Sequence, residues 1–411
     1  MKHSLTILSL TLILFSACQS PQAEKDIVQK NFEFAAQQLA FAISEIDRIL
    51  AEDTAAVQRM AVVPRSINRE GALWITPSYI WTSGFFPGSL WLMYEFTGDE
   101  KWKREARRFT APLEREAHNT STHDVGFKIF CSFGKGFRLT HDAHYREVAL
   151  QAARSLITRY NPTVGAIRSW DHGTRRWGYP VIVDNMMNLE LLFWAFRETN
   201  ECVFYKVAVS HATTTMRDIF RDDFSTFHVL NYDIETGELL HQNQHQGYAD
   251  ETTWARGQAW AIYGFVMSYR ETGISEFLEA AKGAVNMFFT HPNLPDDLIP
   301  FWDFDAPGIP DQPRDVSAAA ITASALYELS TYCAINGAQY REWADTIIRN
   351  LTNNHRAEPG THYGFLLLNS TGHKPHGYEV DAPIVYADYY FLEALIRKWR
   401  LERGERLFEW R

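Results

Sequence analysis

The chain has 411 residues, 46% hydrophobic and 22% charged, the balance of a soluble globular protein with a sizeable core. Its formal net charge of −10 and pI of about 5.8 argue against nucleic acid or an anionic membrane as a partner. Aromatic content is 14%, with 13 Trp. That is more than a core needs, and aromatic faces are surfaces on which sugar rings stack.

Residues 1–18 read as a targeting segment. Lys2 and His3 form a short basic start, and Leu5 to Phe15 is an apolar run too short to span a bilayer. Phe15-Ser16-Ala17-Cys18 then resembles a bacterial lipoprotein cleavage site, with Phe where Leu is usual. This predicts an exported protein. It would be either periplasmic or held at the outer membrane of a Gram-negative bacterium by a lipid on Cys18, with residues 26–411 as a single domain. Cys131, Cys202 and Cys333 are odd in number and lack CxxC spacing, so neither a disulfide framework nor a zinc site follows.

Helical periodicity dominates from residue 30 onward. It is clearest over Phe32–Leu50, Tyr145–Tyr160, Asn188–Glu198 and Ala318–Ala334. Five times a helical segment ends at Gly, Asn or His, with an aromatic four positions later: Gly98 and Trp102, His141 and Tyr145, Asn200 and Phe204, Gly273 and Phe277, Asn336 and Tyr340. Gly and Asn accept the left-handed backbone that stops a helix, and His does so less readily. A sixth pair combines helices near 30–52 and 386–403. Six such hairpins predict an all-α toroid of about twelve helices. Long connections over 53–85, 118–124, 158–182, 221–254, 290–315 and 355–385 would gather at one end and carry the site.

Candidate residues follow in chain order. Trp81, Trp170, His172 and His228 lie in or beside the long connections. His123-Asp124-Val-Gly-Phe127 and Val183-Asp184-Asn-Met-Met187 each place a carboxylate at a helix start, where Asp is either a helix cap or a functional group. In an apolar setting, the pKa of Asp184 would be raised toward that of a general acid. Two such carboxyls facing one cavity are a common requirement of glycosidases. The densest polar and aromatic stretch is His245 to Trp260. Within it Arg256 and Trp260 share a helix face, which suits a sugar carboxylate or a buried pairing of Arg256 with Asp250 or Glu251. His241 and His245 are four apart, but with no HExxH and no third ligand a metal is not implied. Phe301-Trp-Asp-Phe-Asp305, Asp311, Arg314 and Asp315 would either line the cavity rim or form structural ion pairs.

Taken together, these stretches are similar to the unsaturated glucuronyl hydrolases, glycoside hydrolase family 88. The resemblance also covers Trp81-Thr-Ser-Gly-Phe-Phe-Pro-Gly-Ser-Leu-Trp91 and Arg314-Asp-Val-Ser-Ala318. It implies an (α/α)6 barrel acting on lyase-generated oligosaccharides derived from chondroitin, hyaluronan or heparin, which carry a 4,5-unsaturated uronic acid. It implies Asp184 as general acid and base in hydration of the vinyl ether. Asp124 would hold sugar hydroxyls and influence Asp184. Contacts with the unsaturated ring would come from Trp81, His123, Trp170, His228, Gln246, Arg256 and Trp260, with no metal or organic cofactor. In Asn369-Ser-Thr-Gly-His-Lys374, Lys374 is either a sulfate-binding point charge or a solvated loop lysine. The alternatives are an unsaturated rhamnogalacturonyl hydrolase acting on pectin fragments, and a non-catalytic sugar-binding lipoprotein.

Overall fold

A computed structural model describes residues 21–52 and 61–408. The targeting segment and Cys18 therefore lie outside the described residues. Within them are twelve α-helices: α1 (Pro21–Glu52), α2 (Phe85–Thr97), α3 (Glu100–Thr110), α4 (Lys135–Thr140), α5 (Ala143–Ile157), α6 (Leu189–Thr199), α7 (Cys202–Ile219), α8 (Ala255–Thr272), α9 (Ser275–Thr290), α10 (Val316–Leu329), α11 (Gly337–Asn354) and α12 (Val385–Glu402). A π-helical stretch, Gly126–Gly134, runs straight into α4.

Sequence character sorts these helices into two rings. In α10 every residue is buried, because Ala, Ser and Thr alternate with branched aliphatics around its whole circumference. By contrast α3 buries only Trp102, Ala106, Phe109 and Thr110, a single stripe on an otherwise charged helix. Helices α2, the π–α4 segment, α6, α8, α10 and α12 pack one against the next until α12 meets α2 again. Their outer partners α3, α5, α7, α9, α11 and α1 each back one of them. The result is an (α/α)6 barrel.

Four of the five expected turns have the left-handed residue at the helix end: Gly98 (φ 65°), His141 (φ 54°), Asn200 (φ 60°) and Gly273 (φ 69°). His141 adopts this conformation as Gly and Asn do. The fifth turn differs. Asn336 has φ −99° and precedes α11, while α10 has already ended at Ser330. Gly337 lies against the Ser330 carbonyl, which a Cβ would meet at 2.4 Å. The following aromatics Trp102, Tyr145, Phe204, Phe277 and Tyr340 are all buried and anchor the returning helices.

Among the described residues, the long connections at the other end carry seven short strands. β1 (Ala61–Ile67) pairs with β2 (Leu73–Pro77), and β3 (Tyr160–Asn161) with β4 (Ala166–Ile167). β5 (Pro180–Ile182), β6 (Val229–Tyr232) and β7 (Leu239–Asn243) form an antiparallel sheet in that order.

Candidate active site

Asp184 is placed by β5. The Val183 N–H donates to the His228 carbonyl at 3.1 Å, and the strand turns at once into a 3₁₀ helix, Val183–Asn188. The cap of that helix is Ile182, with no side-chain capping bond, so the Asp184 carboxylate is not used as a helix cap. It is buried, and its Oδ2 faces His228 Nε2 at 3.4 Å, with neither atom otherwise partnered. The Gln246 backbone N–H donates to His228 Nδ1 at 3.2 Å. That bond makes Nδ1 the acceptor and leaves the proton on Nε2, aimed at Asp184. The His228 ring rests on Trp254 at 4.6 Å.

Asp124 is also free of capping duty. Its Oδ2 accepts from Thr122 Oγ1 at 2.8 Å, and its Oδ1 lies 2.7 Å from His123 Nε2. Burial holds the His123 pKa below its ordinary value, so the neutral ring donates Nε2–H to Asp124 and leaves Nδ1 unmatched. The two aspartate segments are tied together. The Phe127 N–H donates to Asn188 Oδ1 at 2.8 Å, across a gap that a Cβ on Gly126 would fill.

Both carboxylates open onto a cavity of about 700 Å³ whose lining includes Trp81, Thr122, His123, Trp170, His172, His245 and Gln246. Trp170 stacks on His172 at 4.8 Å, and its Nε1 is buried without a partner. His373, His376 and Tyr378 also line the cavity. His373 and His376 stack at 3.9 Å, and both ring nitrogens of His373 lack partners. Burial and neighbouring imidazoles push His245 down to about 3 and His373 to about 2, so these rings are neutral at ordinary pH. These C-terminal contributors were not singled out by sequence reasoning. The signal available was the His373-Lys-Pro-His-Gly-Tyr378 run, with three rings inside a long connection.

The electrostatics of Asp184 differ from the expectation. Burial pushes its carboxyl up, but the hydrogen bond from His228, then the charge of Arg256 and the field of the more distant His123 ring, hold it net below its ordinary value. An apolar-looking stretch of sequence gave no sign of these groups, which arrive from other segments.

The structure sets four candidates apart from the cavity wall: His228, which is buried behind Asp184, and Arg256, Trp260 and Lys374. Arg256 is fully buried. It donates to Asp315 Oδ2 at 2.7 Å, to the Thr371 carbonyl at 2.6 Å and to the Gly372 carbonyl at 2.5 Å, and it lies over the Trp254 ring. Its partner is thus Asp315 rather than Asp250 or Glu251. Trp260 is buried against Phe127 and Tyr390. Lys374 is half-buried, with its ammonium 5.8 Å from the Trp302 ring. The 301–315 loop is structural. Asp303 accepts from Tyr248 N and Thr252 Oγ1, and Arg314 pairs with Asp297. His241 lies on β7 and His245 beyond it, so their spacing is not that of one helix face. Among the described residues, no group of three or more His, Cys, Asp or Glu side chains is placed to hold a metal ion.

The sequence profile of Glycosyl Hydrolase Family 88 matches residues 54–291. The chain is 47% identical over 344 residues to an unsaturated glucuronyl hydrolase of Formosa agariphila, covering 83% of this chain and 84% of that one. A crystal structure of an unsaturated glucuronyl hydrolase specific for heparin superposes with a TM-score of 0.86 at 41% identity, covering 92% of this chain and 98% of the other. A variant of the Streptococcus agalactiae unsaturated glucuronyl hydrolase, in complex with dGlcA-GalNAc6S, is similar at 29% identity and a TM-score of 0.73. That match covers 90% of this chain and 91% of the other.

Proposed function

The chain belongs to glycoside hydrolase family 88, and from that premise we propose that it removes the 4,5-unsaturated uronic acid from the non-reducing end of lyase-generated glycosaminoglycan oligosaccharides. The observation that carries this reading is the pair of uncapped aspartates, Asp184 and Asp124, facing one aromatic-lined cavity with His228 and His123 beside them.

In the reaction, Asp184 gives a proton to C4 of the enol ether, and positive charge develops on C5 and the ring oxygen. Water adds at C5 as Asp184 takes back a proton, and the resulting hemiketal opens, releasing the remaining sugar and a keto-uronic acid. The protein's own neighbours favour the ionised form of Asp184. A substrate carrying its own carboxylate excludes water and adds a like charge, and both effects raise the carboxyl toward the acid form that the first step needs. Asp124, oriented by Thr122 and His123, suits a sugar hydroxyl as its remaining partner. The direct two-carboxylate displacement schemes do not apply, because the bond to the anomeric carbon is not the one attacked. On the sequence grounds of Lys2 to Cys18, the proposal includes export to the periplasm or outer membrane, with a lipid on Cys18.

The test uses the ultraviolet absorbance of unsaturated disaccharides released by chondroitin, hyaluronan and heparin lyases. The enol ether absorbs and its hydration product does not. Loss of signal with the wild type but not with Asp184→Asn is expected, and the rank order gives the preferred substrate. A constant signal on all three substrates, from folded protein, would sink the glucuronyl reading in favour of pectin fragments or simple sugar binding.

A further inference from the structure

Beside the catalytic cavity lies a second groove of about 640 Å³, lined by residues that include Asn68, Arg69, Trp74, Tyr378 and Asp381. Tyr378 lines both spaces, so the two are neighbours across one aromatic side chain. The shared wall is rigidly built. The Arg65 guanidinium sits between the two rings, 4.5 Å from Trp74 and 5.7 Å from Tyr378. It is fixed there by a bidentate, buried pair with Glu379, at 2.6 Å and 2.9 Å. A planar fork that also stacks on aromatics holds both rings at low entropic cost. Glu379 and Asp381, at φ 52° and 53°, are non-glycine residues held in the left-handed region. Such backbone cost persists where the surroundings over-determine it, often at ligand clamps.

We propose that this groove is a second sugar-binding position, which takes a residue farther along a longer oligosaccharide whose unsaturated end occupies the catalytic cavity. The ligand class follows from the lining. Trp74 offers an aromatic face, and Asn68, Arg69 and Asp381 offer donors and acceptors around it. Among the described lining residues Arg69 is the one Lys or Arg, set against Glu70 and Asp381, while Glu379 is already neutralised by Arg65. The groove therefore selects a sugar ring through stacking and hydroxyl hydrogen bonds rather than through sulfate or carboxylate charge. Arg69 also donates to the Gly377 carbonyl, which couples the β1–β2 hairpin to the segment bearing Tyr378.

The inference rests on the reaction proposed above, and the test separates the two. Initial rates are measured by absorbance loss on unsaturated di- and tetrasaccharides from one hyaluronan lyase digest, with wild type, Trp74→Ala, Trp74→Tyr and Arg69→Ala. For Trp74→Ala, the ratio of tetrasaccharide to disaccharide KM should rise about fivefold, the worth of one aromatic contact. Trp74→Tyr should retain most of the wild-type ratio, and Arg69→Ala, which removes no core contact, should shift it the same way as Trp74→Ala. Equal KM for both lengths in wild type, or a ratio unmoved by Trp74→Ala and Arg69→Ala, would overturn the groove. Absence of turnover on both lengths in wild type would instead overturn the reaction. Calorimetric titration of the tetrasaccharide into wild type and Arg69→Ala would then decide the groove by itself, with weaker binding to the variant expected and equal binding overturning it.

Discussion

His228 Nε2 stands 3.4 Å from Asp184 Oδ2, and the tautomer that points its proton there is fixed from behind by the backbone N–H of Gln246. This contact is the largest of the influences holding Asp184 below its ordinary pKa against burial. His228→Asn removes the ring Nε2–H donor that faces Asp184 while Asp184 stays buried, so the carboxyl should rise. If Asp184 supplies the proton to C4, the alkaline limb of kcat/KM moves to higher pH, by about one unit. The measurement is the full pH profile. An alkaline limb that stays in place while the rate falls would restrict His228 to holding the substrate.

The second prediction concerns the joint between the two aspartate segments. Asn188 Oδ1 accepts from the Phe127 N–H, and a Cβ at Gly126 would meet the Asn188 Cα and Oδ1 at 2.7 Å each. Gly126→Ala has no room without moving one segment, a strain of about 1–3 kcal/mol. Asn188→Ala leaves a buried amide unpaired, at a similar cost of about 1–3 kcal/mol. Both variants should lower the denaturant midpoint, and both should lose activity beyond what their stability loss explains, because Asp124 and Asp184 no longer share one frame. Full activity in a destabilised Gly126→Ala protein would show that the spacing of the two carboxylates is not critical.

Much of the barrel was legible because its signals are local. A left-handed stop followed four residues later by an aromatic marks a turn whichever helices it joins, and only Asn336 departs, where α10 ends early at Ser330. Asp124 and Asp184 were legible for the same reason, as charged residues interrupting apolar helix starts. What escaped was set by distant contacts. The position of His373, His376 and Tyr378 at the cavity depends on the hairpin that Glu379 ties to Arg65, 314 residues away in sequence. The partner of Arg256 is 59 residues away, and no local pattern separates Asp315 from the nearer Asp250.

Asp388 gives a prediction about stability. It is buried on α12, accepts from the Leu366 and Leu367 N–H groups at 2.9 Å each, and burial pushes its carboxyl up to about 8. Its folded pKa lies above its unfolded value of about 3.9. Its contribution is therefore fully present below about pH 4 and is lost as pH rises through about 8. Asp388→Asn should lower Tm at acidic pH, since one backbone donor loses its acceptor, yet flatten the decline of Tm between pH 6 and 9. Thermal unfolding of both proteins across that range checks this. Parallel curves would mean that Asp388 stays ionised in the folded state.

Arg256 yields the last prediction, because its stabilising and functional contributions can be separated. Arg256→Met leaves Asp315 buried without its cation, which should cost about 3–5 kcal/mol. Pairing it with Asp315→Asn removes the stranded charge and keeps the Oδ1 that accepts from the Ser317 and Thr371 N–H groups at the start of α10, so much of that loss should be recovered. Activity should not return with stability. The Gly372 carbonyl is gripped both by Arg256 and by Gln246 Nε2, at 2.5 Å and 2.9 Å, and it directly precedes His373 on the cavity wall. Without the guanidinium, that wall and the Gln246 segment that orients His228 lose their common clamp, and Asp184 loses one of the charges that lower its pKa. A stable double variant with KM raised at least as much as kcat is lowered is the expected result, read from steady-state kinetics beside denaturant titration. Recovery of wild-type kinetics would reduce Arg256 to a packing role.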